Sequence, residues 1–189
     1  ARGEEAGGGA RPQPARLVFA HLPTAYADGS DLEARAHLQN AATIAGLGFG
    51  NSMAALAHGM GHALGGALHI PHGRAVALCL PYTIEYCAHP DFGPTRYADL
   101  AATLGLPCAD EAQAAAALAQ AIRALEEQVG QPLTIAACGV SEADFAQALE
   151  RLVDHALNDS QTVMATRVPD SAELRRLFHA AYRGESGDF

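Results

Sequence analysis

Ala57-His58-Gly59-Met60-Gly61-His62-Ala63-Leu64-Gly65-Gly66-Ala67-Leu68-His69-Ile70-Pro71-His72-Gly73 decides how the rest of the chain is read. Four of the nine histidines fall inside it, so any imidazole chemistry is concentrated here. His58 and His62 are four residues apart, and on a helix such residues share a face. The stretch from Ser52 to Leu68 is rich in small residues and carries no Asp, Glu, Lys or Arg. That pattern predicts a helix buried on most sides. Gly65-Gly66 weakens its end, and Ile70-Pro71-His72-Gly73 reads as a turn that brings back a third imidazole.

Spacing alone leaves two readings of these rings. Histidines on a glycine-rich buried helix can serve packing or a core hydrogen bond. Alternatively, a His-x-x-x-His pair with a third His beyond a turn suits Zn²⁺ or Fe²⁺. The zinc-protease motif is excluded, because it needs a Glu directly after the first His as general base and Gly59 stands there. His69 is either a competing ligand or a surface residue.

The chain around this segment reads as all-α. It has 189 residues, enough for one domain with its own core. Its apolar residues, 49% of the total, are dominated by alanine, the best helix former. Helices are predicted over 14–27, 32–47, 52–68, 74–88, 95–104, 110–129, 141–157 and 171–183. Pro23 should bend or restart the first, and Pro81 should kink the fourth. In the second, Leu38, Ala41, Ala42 and Ala45 should face inward. Gly46, Gly48 and Gly50 around Phe49 should permit a close backbone approach. Asp28-Gly29-Ser30-Asp31, Ser141 with Asp144, and Asp170-Ser171 are stop or cap signals. Residues 1–13 and 185–189 are expected to be tails around a helical domain at 14–184.

Charge narrows the partners. A net charge of −9 argues against nucleic acid, whose phosphates need clustered cations. It argues equally against docking on an anionic membrane surface. No apolar run has the length of a membrane span, and residues near Ala1 lack a signal-peptide core. Cys79, Cys87, Cys108 and Cys138 form no Cys-x-x-Cys pair and suggest a reduced, cytoplasmic protein.

Several short stretches together resemble the iron-containing (group III) alcohol dehydrogenases, and within them the lactaldehyde reductase and butanol dehydrogenase branch. They are Phe49-Gly50-Asn51, Ala57 to His62, Leu64-Gly65-Gly66, Ile70-Pro71-His72-Gly73 and Leu80-Pro81-Tyr82. Leu22 to Gly29, Asp31 to Arg35 and Pro169-Asp170-Ser171 with the last helix are also similar. The histidine block is the specific part of this likeness, which runs roughly from residue 14 to 184.

The resemblance implies the helical C-terminal domain of the dehydroquinate synthase-like fold, which normally follows a Rossmann-like domain that binds NAD(P). It implies that His58 and His72 bind a divalent metal, Fe²⁺ or alternatively Zn²⁺. It places His62 near the nicotinamide, in a catalytic proton-relay or positioning role, and Phe49 in the substrate pocket. The implied reaction interconverts a small-molecule alcohol with an aldehyde or ketone. In such sites the metal lowers the alcohol pKa as a Lewis acid and hydride passes to the cofactor.

The family completes its metal site with an Asp and a His, one helical turn apart, from a preceding helix. Residues 1 to 13 contain neither residue type, and no glycine-rich dinucleotide fingerprint follows a strand. The expectation is therefore a fragment, a half-enzyme complemented by another chain, or a degenerate paralogue, incomplete or inactive alone. Its partners would be the missing N-terminal domain or a second copy. A different class of function is a non-catalytic helical assembly module derived from the same family. A metal-free relative resembling maleylacetate reductases is a third reading, and intact His58 and His72 count against it. Elsewhere, Glu126-Glu127 reads as a solvated helix face, and Cys79 and Cys87 as buried small hydrophobes. His21, His37, His89, His155 and His179 carry no motif.

Overall fold

The computed structural model describes residues 13–92 and 95–186. Eight α-helices follow one another: α1 (Gln13–Ala27), α2 (Leu32–Ser52), α3 (Ala55–Leu68), α4 (His72–Cys87), α5 (Tyr97–Thr103), α6 (Glu111–Gln128), α7 (Glu142–Leu157) and α8 (Ser171–Arg183). Short 3-10 turns stand at Pro90–Phe92, Ala136–Cys138 and Thr162–Met164. No strand occurs among the described residues. The chain is all-α, as its alanine content and periodicity predict. Of the tails expected at 1–13 and 185–189, residues 1–12 and 187–189 lie outside the described residues, and Gln13 already opens α1.

Side-chain caps set four of the helix starts. Asp31 accepts the Ala34 N–H at 2.9 Å and Asp110 the Gln113 N–H at 2.7 Å. Ser141 Oγ accepts the Asp144 N–H at 3.1 Å. At α8 the cap is reciprocal: Asp170 accepts the Glu173 N–H at 2.8 Å while Glu173 accepts the Asp170 N–H at 2.9 Å. Each such bond satisfies a backbone donor that the first helical turn leaves without a partner.

The helices follow the sequence reading with these differences. Of the bend or restart expected at Pro23, α1 makes no restart and continues through it to Ala27. Because α1 has no buried residue, water can reach the carbonyl that Pro23 leaves without a donor. α2 runs on past Leu47 to Ser52, straight through Gly46, Gly48 and Gly50. Nothing lies within 4 Å of where their Cβ atoms would be, so the expected close approach is not made by any described residue. α3 starts at Ala55 rather than Ser52, because the backbone breaks there. Met53 (φ 62°) and Ala55 (φ 56°) both hold the left-handed conformation that side chains disfavour.

α3 is the central element. Leu56, Met60 and Leu64, at helical spacing, are each at most 1% exposed. They pack with Leu78, Cys79, Tyr82 and Tyr86 of α4, Leu152 of α7 and Leu174, Leu177 and Phe178 of α8. A smaller cluster joins Ile84 and Ala88 to Ala115, Leu118 and Ala119 of α6. α1 and α2 pair as a hairpin, and α1 touches α6. Of the residues expected to face inward from α2, Ala41 is buried and Leu38 half-buried, but Ala42 and Ala45 are exposed. No helix among the described residues is long and apolar enough to cross a membrane.

Glu126 corrects the reading of Glu126-Glu127 as a solvated face. Glu127 is exposed, but Glu126 is only 7% exposed and its Oε1 has no hydrogen-bond partner. Burial pushes its carboxyl up to about 7, against a weaker opposing pull from Arg123. A raised carboxyl stabilises the fold in its protonated form. That contribution is full below the ordinary carboxyl value and is lost as pH rises through about 7. Thermal or urea unfolding should therefore show roughly 2 kcal/mol less stability at pH 8 than at pH 5 from this group. Glu126→Gln should flatten that slope. An unchanged slope would show that the carboxyl is not the source.

Candidate metal centre

α3 and α4 cross where glycine replaces side chains. A Cβ on Gly61 would lie 2.7 Å from Val76 Cγ2 and 3.1 Å from the Val76 backbone. Such contacts are shorter than atoms tolerate, so only glycine lets α4 approach this closely. A Cβ on Gly59 would fall 2.0 Å from Thr162 Oγ1. Thr162 is fully buried and donates to the Ala156 carbonyl at 2.7 Å, so it is anchored to the end of α7. Two glycines in the His58–His62 turn thus admit α4 on one side and the loop after α7 on the other.

The close crossing gathers the three predicted imidazoles. Ring centroids lie 5.8 Å apart for His58 and His62, 5.5 Å for His58 and His72, and 5.3 Å for His62 and His72. His72 does not sit in a turn, as its Pro-Gly surroundings suggest, but opens α4 directly behind Pro71. His69 is the αL cap of α3 and is exposed. Phe49 stands on the last turns of α2, 56% exposed.

His58 is half-buried, and burial is the main reason that its pKa is lowered, reinforced by the neighbouring His72 and His62 rings. Its hydrogen bond to the Ala54 carbonyl pulls the other way. A neutral His58 that donates from one ring nitrogen keeps a lone pair on the other, which is what metal ligation requires. Among the described residues, no three His, Cys, Asp or Glu side chains are grouped so as to hold a cation.

The residue that sequence reasoning missed is Asp159. Its Oδ2 lies 2.8 Å from His62 Nδ1, although the two are 97 positions apart in the chain. Burial raises the Asp159 carboxyl, but the Gln161 N–H and the His62 ring more than offset this and hold it below its usual value. Gln161 also joins in: its N–H donates to Asp159 Oδ1 at 2.8 Å, and its Oε1 accepts the Ala54 N–H at 2.8 Å. No spacing rule connects residues 159 and 161 to the histidine block. Only the packing of α7 on α3 brings them there.

The description "Fe-containing alcohol dehydrogenase family, C-terminal" matches residues 12–182. The chain belongs to the iron-containing alcohol dehydrogenase family. The bifunctional aldehyde-alcohol dehydrogenase of Escherichia coli K12 is 34% identical over 190 aligned positions, which take in 91% of this chain and 21% of that protein. The NADPH-dependent butanol dehydrogenase of Clostridium saccharobutylicum is 28% identical, over 94% of this chain and 45% of that one. Among solved structures, the iron-containing alcohol dehydrogenase of Thermococcus thioreducens superposes with a TM-score of 0.81 at 32% identity. That match covers 93% of this chain and 44% of the other. The chain therefore spans less than half the length of these relatives.

Proposed function

We propose that the chain is the helical, metal-binding part of an alcohol dehydrogenase that interconverts an alcohol and an aldehyde or ketone with NAD(P). The observation that carries this is the gathering of His58, His62 and His72 around one point of the α3–α4 crossing. His58 and His72 would hold a divalent cation, Fe²⁺ or alternatively Zn²⁺. Their donor set fits such an ion, since a lowered pKa favours neutral His58 and His72 is exposed. When bound, the cation supplies Lewis-acid polarisation of the substrate oxygen.

The chain's own residues bind and position. His62, 42% exposed at its side chain, would take a proton from a substrate hydroxyl and face the nicotinamide. Phe49 is assigned to the substrate pocket and offers an apolar surface to the carbon chain of an alcohol. The described residues contain no strand and so no strand–turn–helix cradle for a dinucleotide. Among the described residues no group of three His, Cys, Asp or Glu completes the cation's donor set.

Two imidazoles without a carboxylate bind a cation weakly. Titration of the 189-residue chain with Co²⁺ or Zn²⁺ should show weak binding that disappears in His58→Ala and in His72→Ala. The chain alone should not oxidise alcohols. Turnover should appear when a chain carrying the missing donors and a cofactor domain is added. Metal binding that is indifferent to both substitutions, or robust NAD(P)-dependent turnover by this chain alone, would overturn the assignment.

A second reading, a helical assembly module, draws on the α1–α2 hairpin. Tyr26 is 62% exposed, Leu32 79% and Phe49 56%, and no residue of α1 is fully buried. Apolar side chains on the hairpin favour association with a partner surface or a second copy. Sedimentation of the chain across concentration tests it; a strict monomer at all concentrations counts against self-association.

A further inference from the structure

We propose that Asp159 is a positioning residue for His62, fixing which ring nitrogen carries the proton. The proposal rests on the role given to His62 above and adds a residue to it. An ionised carboxylate can only accept, so the contact of 2.8 Å makes His62 Nδ1 the donor. In the neutral ring the lone pair then belongs to Nε2, and Nε2 is the atom that takes a proton from substrate. Asp159 is itself held, because the Gln161 N–H occupies its other oxygen. Its side chain is 18% exposed against 42% for His62, so the carboxylate is the less mobile partner.

The bracket reaches a second imidazole. Gln161 Oε1 accepts from the N–H of Ala54, the residue whose carbonyl hydrogen-bonds the His58 ring. Thr162, next in the chain, is locked against Gly59 in the turn between the two rings. The loop after α7 thus secures His62 directly and His58 through one peptide. A purely structural loop would need no carboxylate aimed at a half-exposed ring.

The test is nitrogen NMR of the histidine rings in the metal-free chain. Wild-type His62 should show the neutral Nδ1–H form. Asp159→Ala should convert His62 to a mixture of both forms. Asp159→Asn keeps one oxygen for the Gln161 N–H and turns its amide N–H₂ toward His62 Nδ1, so it should shift His62 to the Nε2–H form. A wild-type His62 protonated at Nε2 overturns the proposal whether or not either variant folds, and so does an Asp159→Ala chain with unaltered His62 signals. The readout needs no cation. A chain with the expected His62 signals that takes up no Co²⁺ keeps this proposal and loses the metal reading.

Discussion

Glu173→Ala is expected to cost about 3–5 kcal/mol, enough to lower the melting temperature by roughly 10 °C. Arg167 is 6% exposed, and its Nη2 donates to Glu173 Oε1 at 2.6 Å. Its guanidinium also lies 4.0 Å from the centroid of the Tyr86 ring, whose hydroxyl donates to Glu173 Oε2 at 2.9 Å. The same carboxylate closes the capping box of α8. Removing it leaves a buried cation without its carboxylate, a phenol without its acceptor and a helix without half of its cap. Loss of the carboxylate beside a buried cation dominates; the cap alone is worth about 1 kcal/mol.

The acid side of the stability curve checks the same group. Burial raises the Glu173 carboxyl, but its bonds to the Asp170 N–H, Tyr86 and Arg167 outweigh that and hold it below the usual value. A lowered carboxyl stabilises the fold when ionised. The contribution is full above the ordinary value of about 4.3 and is lost as pH falls through the lowered one. Wild-type protein should therefore lose stability in that acid window more steeply than Glu173→Ala. Parallel curves for the two proteins would refute this account.

The second large effect is expected at Gly59. Gly59→Ala places a methyl 2.0 Å from Thr162 Oγ1 and 3.3 Å from Thr162 Cβ. Thr162 is fully buried and tied to Ala156, so the clash cannot be relieved by a rotamer change alone. Overpacking of this kind costs about 3 kcal/mol. Thr162→Ala removes the nearest atom. The double variant should then be less destabilised than the sum of the two single variants, read from urea midpoints. Strict additivity would mean that the two residues do not press on each other. Displacement of the loop should also shift the His62 ring signals, because Asp159 lies three residues before Thr162.

How much of this was legible in the sequence varies with the range of the interaction. The all-α class and the starts of α6, α7 and α8 follow from local rules, since Asp110, Ser141 and Asp170 cap helices by reaching only three residues ahead. The histidine trio was legible for the same reason: two rings one helical turn apart and a third returned by Pro71. Asp159 was not, because it meets His62 only through the seating of α7 against α3. Glu126 misled because an acidic pair on an alanine-rich helix resembles a wet face, and only α6's packing against α4 puts one carboxyl inside. The run of glycines around Phe49 carries α2 onward, with nothing among the described residues within 4 Å of where the Cβ atoms of Gly46, Gly48 and Gly50 would be.

Ala54 joins two halves of the molecule that otherwise share little. It lies between the left-handed residues Met53 and Ala55, where the hairpin meets α3, and both of its peptide groups are engaged, one by Gln161 and one by the His58 ring. A swing of the hairpin that turns this pivot cannot leave both hydrogen bonds intact. Anything that grips the hairpin from outside has a direct mechanical line to the imidazole of residue 58.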